Sequence, residues 1–162
     1  MISDMMTKEI NAQITRELYS AYLYLAMSAD AMHKGFKGAA NWFAVQAKEE
    51  LDHAQRFMKY LYDQTAKVEL LPLDAPKKTW KDLAEMFQDA LAHEKTVTAH
   101  IAKLAALAAA EKDCATQIAL QWFVTEQIEE EGNDVDVLWM LEMAAGSKGA
   151  LFMVDKKLGE RK

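Results

Sequence analysis

The 162-residue chain carries 25 acidic against 19 basic side chains, and its net charge of −6 offers no basic face to nucleic acid or an anionic membrane. An apolar content of 51% with six glycines and two prolines suits one mostly helical domain spanning residues 1–162, long enough to bury roughly 70% of its unfolded surface. A single cysteine, Cys114, excludes an internal disulfide, and with no signal-like N-terminus and no apolar run near ~18 residues the chain reads as cytoplasmic.

Breakers and caps divide the chain into four long helices and a short fifth. The first is expected over residues 4–33, begun by Ser3 or Asp4 and closed at "HKGFKG", where Gly35 and Gly38 allow a tight reversal. The second is expected over 38–65. The stretch "VELLPLDAPKKTW" holds both prolines and reads as an extended connection. Thr79 with Asp82 resembles a capping box, which sets a third helix over 80–109. Asp113 is placed to cap a fourth helix over 114–145. "GS" breaks it, and Ser147 can cap a last one over 147–158. Links that run short, long, short predict an all-α fold: an antiparallel four-helix bundle with one long crossover and a short C-terminal helix.

A bundle helix buries a stripe at alternating steps of three and four. In the third helix the stripe is Leu83, Phe87, Ala90, Glu94, Val97, Ile101, Leu104 and Ala108, apolar but for one carboxylate. The second gives Ala39, Phe43, Gln46, Glu50, His53, Phe57, Tyr60 and Gln64. The fourth gives Thr116, Leu120, Phe123, Gln127, Glu130, Asp134, Val137 and Leu141. The first gives Ile10, Ile14, Glu17, Ala21, Tyr24, Ser28 and Ala31. Every long helix therefore places an acid in its seam, at matching heights once antiparallel pairing is allowed for.

Buried carboxylates are strongly penalised, and two of them about 4 Å apart repel by roughly 4 kcal/mol at an effective dielectric near 20. No Lys or Arg lies in the seams to offset Glu17, Glu50, Glu94 and Glu130. Two divalent cations would. Glu50 and His53, at i and i+3, project from one helix face toward such ions. Carboxylate with imidazole suits iron better than a thiolate-type structural zinc site. The competing reading is a set of acids turned to the surface or protonated. Gln46 and Asp134 are polar seam positions without an assigned role.

Glu17 in "ITRELYSAYLYL", Glu50 and His53 in "EELDH", Glu94 in "AHEKTV", and Gln127 with Glu130 in "EQIEEE" resemble the ferritin family, specifically the bacterial non-haem ferritins, over essentially the whole chain. The resemblance implies a ferritin-like bundle in which Glu17, Glu50 and His53 hold one iron. Glu50, Glu94 and Glu130 hold the other, Glu50 bridging and Gln127 close by. Tyr24 matches the family's tyrosine beside the site; it reads equally well as a core tyrosine with a satisfied hydroxyl. The implied activity is ferroxidation of Fe²⁺ by O₂ or H₂O₂, with ferric mineral stored inside an octahedral homo-oligomer of twenty-four subunits. Symmetric di-iron bundles carry a second Glu-x-x-His where this chain has Gln127-x-x-Glu130. Haem-binding relatives carry methionine where this chain has Asp52, so no haem is expected.

Glu49, Glu126 and Glu129 read by themselves as a solvated acidic face, whereas the resemblance implies a third iron site on the cavity side. His33, His93 and His100 read as helix-end or surface residues, and Glu131 as surface. Thr116, Gln117 and Leu120 fall where animal ferritins have an acid-lined threefold channel. Two other readings stay open: a di-iron oxidase or peroxidase without storage, and a helical interaction module whose seam acids only set register.

Overall fold

The computed structural model describes residues 2–162, and among these there are five helices and no strand. They are α1 (Asp4–His33), α2 (Lys37–Asp63), α3 (Leu83–Ala110), α4 (Cys114–Met143) and α5 (Lys148–Leu158). Local chemistry starts most of them. The Ser3 hydroxyl accepts from Met6 N–H at 3.0 Å, Asp113 from Thr116 N–H at 3.0 Å, and Ser147 from Ala150 N–H at 3.2 Å, each satisfying a donor that the first turn leaves free.

The third helix starts later than residue 80. Asp82 is its cap, accepting from Glu85 N–H at 2.9 Å, while Glu85 reaches back to Lys81 N–H. The box thus sits three residues on from Thr79, because Asp30 of α1 has claimed that segment. Asp30 accepts from Trp80 N–H at 2.9 Å and from the Thr79 hydroxyl at 3.4 Å. Helix α2 ends at Asp63 rather than 65, with Thr65 in the left-handed region at φ 56°. Helix α4 ends at Met143 rather than 145, before Gly146 at φ 78°.

Helix α1 packs along α2, α3 along α4, and the crossover joins the pairs. Near its start Asn11 clamps it, donating to Lys67 C=O at 3.0 Å and accepting from Glu69 N–H at 2.7 Å. Near its end Asp30 holds Thr79 and Trp80. At 1.5 Å per residue those two anchors lie about 28 Å apart on α1, so the crossover travels most of the bundle.

The seams of α3 and α4 are buried at every expected position. In α1 Met27 replaces Ser28, and in α2 Leu61 replaces Tyr60 and Gln64, which are half-buried. Thr116 and Leu120 are buried within the subunit, and the Thr116 hydroxyl lies 2.6 Å from the Tyr60 hydroxyl. The apolar core is in two parts. One surrounds Trp42, Phe43 and Phe87, with Phe43 and Phe87 stacked at 4.8 Å; the other surrounds Ile14, Phe57 and Phe123, with the two rings stacked at 3.8 Å. The charged seam residues lie in neither.

Helix α2 has no cap of its own at Phe36. Asp155 of α5 supplies one, accepting from Ala39 N–H at 2.8 Å and Gly38 N–H at 3.2 Å. The two helices approach so closely that a Cβ on Gly38 would lie 1.6 Å from Asp155 C=O. Gly38→Ala is therefore expected to push α5 off its seat and to lower stability by about 3 kcal/mol, from overpacking plus the lost cap. Gly149→Ala, with nothing within 4 Å of the new Cβ, is the neutral control, and urea unfolding midpoints of the two variants check the contrast.

Candidate metal centre

The acids and His53 meet in one buried layer crossing all four long helices: Glu17 from α1, Glu50 and His53 from α2, Glu94 from α3, and Glu130 and Asp134 from α4, none more than 4% exposed. Two groups have the compactness of a metal site. Glu17, Glu50 and His53 offer donor atoms within 4.8 Å of one another, and so do His53, Glu126 and Glu130. The i, i+3 spacing brings His53 Nδ1 to 3.4 Å from Glu50 Oε2, and its Nε2 lies 3.9 Å from Glu126. Trp122 and Phe123 meet the imidazole edge-on at 5.3 and 6.4 Å.

Amide side chains hold the carboxylates in place. Gln13 donates to Glu17 at 2.8 Å, and Gln46 donates both to Glu50 at 3.0 Å and to Glu130 at 2.7 Å, linking α2 to α4. Gln127 donates to Glu94 Oε2 at 3.0 Å, and the Tyr24 hydroxyl donates to Glu94 Oε1. Glu94 belongs to neither compact group; it stands beside them between Tyr24 and Gln127. Glu17 Oε2 and both oxygens of Asp134 are buried without any partner. Unpartnered buried carboxylate oxygens are costly as anions and are what a cation would satisfy.

Electrostatics agree with the crowding. Burial, then the charge of Glu50, holds Glu17 well above the ordinary carboxylate range. Burial, then Glu94 and Glu130, does the same to Glu50. Burial followed by Glu94 pushes Glu130 up to about 7, and burial followed by Glu94 and Glu130 pushes Asp134 up to about 8. Tyr24 is raised by burial and by Glu94. Without a cation this layer stores protons; with divalent cations its carboxylates can ionise together.

The outer acids are arranged less compactly. Glu126 is half-buried and turned toward His53, Glu129 is exposed, and Glu49 is half-buried against the Arg161 guanidinium. Burial raises Glu49, Arg161 opposes the rise, and Glu126 and Glu129 add to it, so the three acids share one field. Glu131 is half-buried and accepts from Thr98 at 2.6 Å, so it is not free surface. Nor is His93: its ring packs edge-on to Tyr24 at 6.3 Å, its Nε2 lies 2.7 Å from the Ser20 hydroxyl, and burial lowers its pKa. His33 is exposed at the end of α1 and His100 is half-buried.

Gln13, Arg161 and the fit of Gln46 escape a seam reading. The two glutamines share a signal, since Gln13–Glu17 and Gln46–Glu50 are both Gln-x-x-x-Glu and such pairs meet on a helix face. Arg161 has no local signal, because its partner lies over a hundred residues away.

Among known proteins, the ferritin-like domain family matches residues 7–144. The bacterial non-heme ferritin of Staphylococcus aureus is 35% identical over 161 residues, covering 99% of this chain and 97% of that one. A probable bacterial non-heme ferritin-like protein of Haemophilus influenzae is 35% identical, covering 98% and 96%. The open pore ferritin of Archaeoglobus fulgidus superposes with a TM-score of 0.99 at 38% identity, each chain covered in full. Bundle, crossover, buried acid layer and these likenesses together place the chain in the ferritin family.

Proposed function

We propose that this chain is an iron-storage subunit that takes Fe²⁺ as substrate into its buried acid layer and oxidises it there. The observation that carries the reading is that layer itself: Glu17, Glu50, Glu94, Glu130 and Asp134 buried around His53, two of the acids with unpartnered oxygens. Glu17, Glu50 and His53 hold one iron; Glu50, Glu94 and Glu130 hold the second, with Glu50 shared. Gln13, Gln46 and Gln127 fix the carboxylate rotamers, as donors behind metal ligands commonly do. Tyr24 fixes Glu94.

Two Fe²⁺ side by side each give one electron to a single oxidant. O₂ with two protons leaves as H₂O₂, or H₂O₂ with two protons leaves as two waters. Fe³⁺ then passes by Glu49, Glu126 and Glu129, a third iron position, toward the cavity of an octahedral twenty-four-subunit cage. Each cage position is filled by the chain as a single domain, working in the cytoplasm; no helix among the described residues is long and apolar enough to cross a membrane. The likeness to solved ferritins over the full chain supports the assembly.

The test is anaerobic Fe²⁺ loading, admission of air, and size-resolved absorbance. Ferric iron is expected to co-migrate with a particle of cage size. Oxidation by a monomer or dimer that retains no ferric iron would replace storage with a di-iron oxidase or peroxidase.

A further inference from the structure

The guanidinium that reaches the outer acids comes from the end of the chain, at Arg161. Beyond α5 the tail folds back over α2, where Asn41 Nδ2 donates to the carbonyls of Arg161 at 2.9 Å and Gly159 at 3.4 Å. The Arg161 guanidinium carbon lies over the Trp42 ring, 4.3 Å from its centre, and Nη2 donates to Glu49. Its Nη1 is buried with no partner. So Nη2 is engaged and Nη1 is not, and the side chain is held by the Trp42 ring, one ion pair and a tail that Asn41 ties to α2.

Glu49 is one of the three outer acids, and it stands next to Glu50 in the chain. A guanidinium on its carboxylate occupies one of the two oxygens that a metal would need, Oε2, and brings a positive charge to where a metal would sit. Charge-assisted pairs of this kind are strong enough to compete and, half-exposed, weak enough to be displaced. The same charge reaches inward, opposing the burial-driven rise at Glu130 and Asp134.

We propose that Arg161 is a displaceable internal counter-ion for Glu49, so that the C-terminal tail sets how readily a cation occupies the outer acid position. In this arrangement the inner layer fills first, with Arg161 closing the outer position. A cation arriving there displaces the guanidinium, which swings off Glu49 while Asn41 and Trp42 keep the tail near. The inference rests on the reading of Glu49 as an outer metal ligand given above.

The experiment is calorimetric titration of the assembled, iron-free protein with Zn²⁺, a redox-inert divalent probe. Parent chain, Arg161→Ala, Arg161→Gln, Glu49→Gln and Glu50→Ala are compared, after checking that helicity and native mass are unchanged. Both arginine variants are expected to bind Zn²⁺ at the outer position roughly ten-fold more tightly than the parent, with the inner events unaltered. Adding Glu49→Gln to either should abolish the gain. Equal outer affinity in parent and arginine variants, or a gain that survives Glu49→Gln, overturns the counter-ion role while leaving the inner site standing. Inner binding that Glu50→Ala does not weaken overturns both the site and this inference.

Discussion

Glu50→Ala should oxidise Fe²⁺ at least about 100-fold more slowly than the parent chain under air, because the roughly 10–100-fold cost typical of losing a group behind a ligand is a lower limit for losing a shared ligand. Glu50 is the point where the layer's connections converge. It shares a compact donor group with Glu17 and His53, and Gln46 ties it to Glu130 on the opposite pair of helices. Its pKa is raised by burial and then by Glu94 and Glu130, so the charges of α3 and α4 reach it directly. A structural defect would lower activity and stability together. Here they should part: the isosteric Glu50→Gln removes a buried, repelled acid and should raise the unfolding midpoint of the iron-free protein at pH 8 while still slowing oxidation. Stopped-flow absorbance and urea titration read the two effects, and an oxidation rate within a few-fold of the parent would sink the assignment.

The iron-free protein should lose stability as pH rises from about 5 to about 8.5, opposite to the usual behaviour of carboxylates paired with bases. Glu130 at about 7 and Asp134 at about 8 hold their protons more tightly folded than unfolded, chiefly through burial. The folded state then binds more protons than the unfolded one between the two sets of values. Below the unfolded values, near pH 4, there is no penalty; it grows as pH climbs and is complete above about 8. At about 1.4 kcal/mol per pKa unit, a few kcal/mol are at stake for Asp134 alone. Asp134→Asn should therefore raise the midpoint most at pH 8.5, less at pH 5, and hardly at all near pH 4, measured with a chelator present. Parallel pH profiles for parent and variant would show that Asp134 is not a proton-bearing member of the layer. Saturating Zn²⁺ should flatten the parent's profile, since ligated carboxylates no longer need protons.

What could be read from the chain was whatever acts over one or two helical turns. Ser3, Asp113 and Ser147 cap where their positions before apolar periodicity indicate. Glu50 and His53 share a face by spacing alone, and Glu94 stands out as the one acid in an apolar seam. Thr79 misled because capping chemistry repeats at Asp82, and only the fold shows that Asp30 has taken the earlier segment. His93 misled for the same reason, since Ser20 and Tyr24 come from another helix. The contacts between distant segments were illegible: Asp155 capping α2, and Arg161 reaching Glu49. Each joins residues more than a hundred positions apart through ordinary surface-type side chains, and no periodicity marks such a pair.

The separation of the apolar core into two clusters has a consequence for how such a subunit can change. The rings at Phe43 and Phe87 and those at Phe57 and Phe123 belong to different packed bodies that share only the helices running through both. Volume gained or lost in one need not be absorbed by the other, and energetic effects at sites this far apart tend to add. Adaptation to heat or cold can therefore proceed at either end of the bundle one side chain at a time. The buried acids lie between the two clusters and touch both, through Tyr24 on Glu94 and Phe123 on His53, so the side chains at that boundary are the ones least free to change.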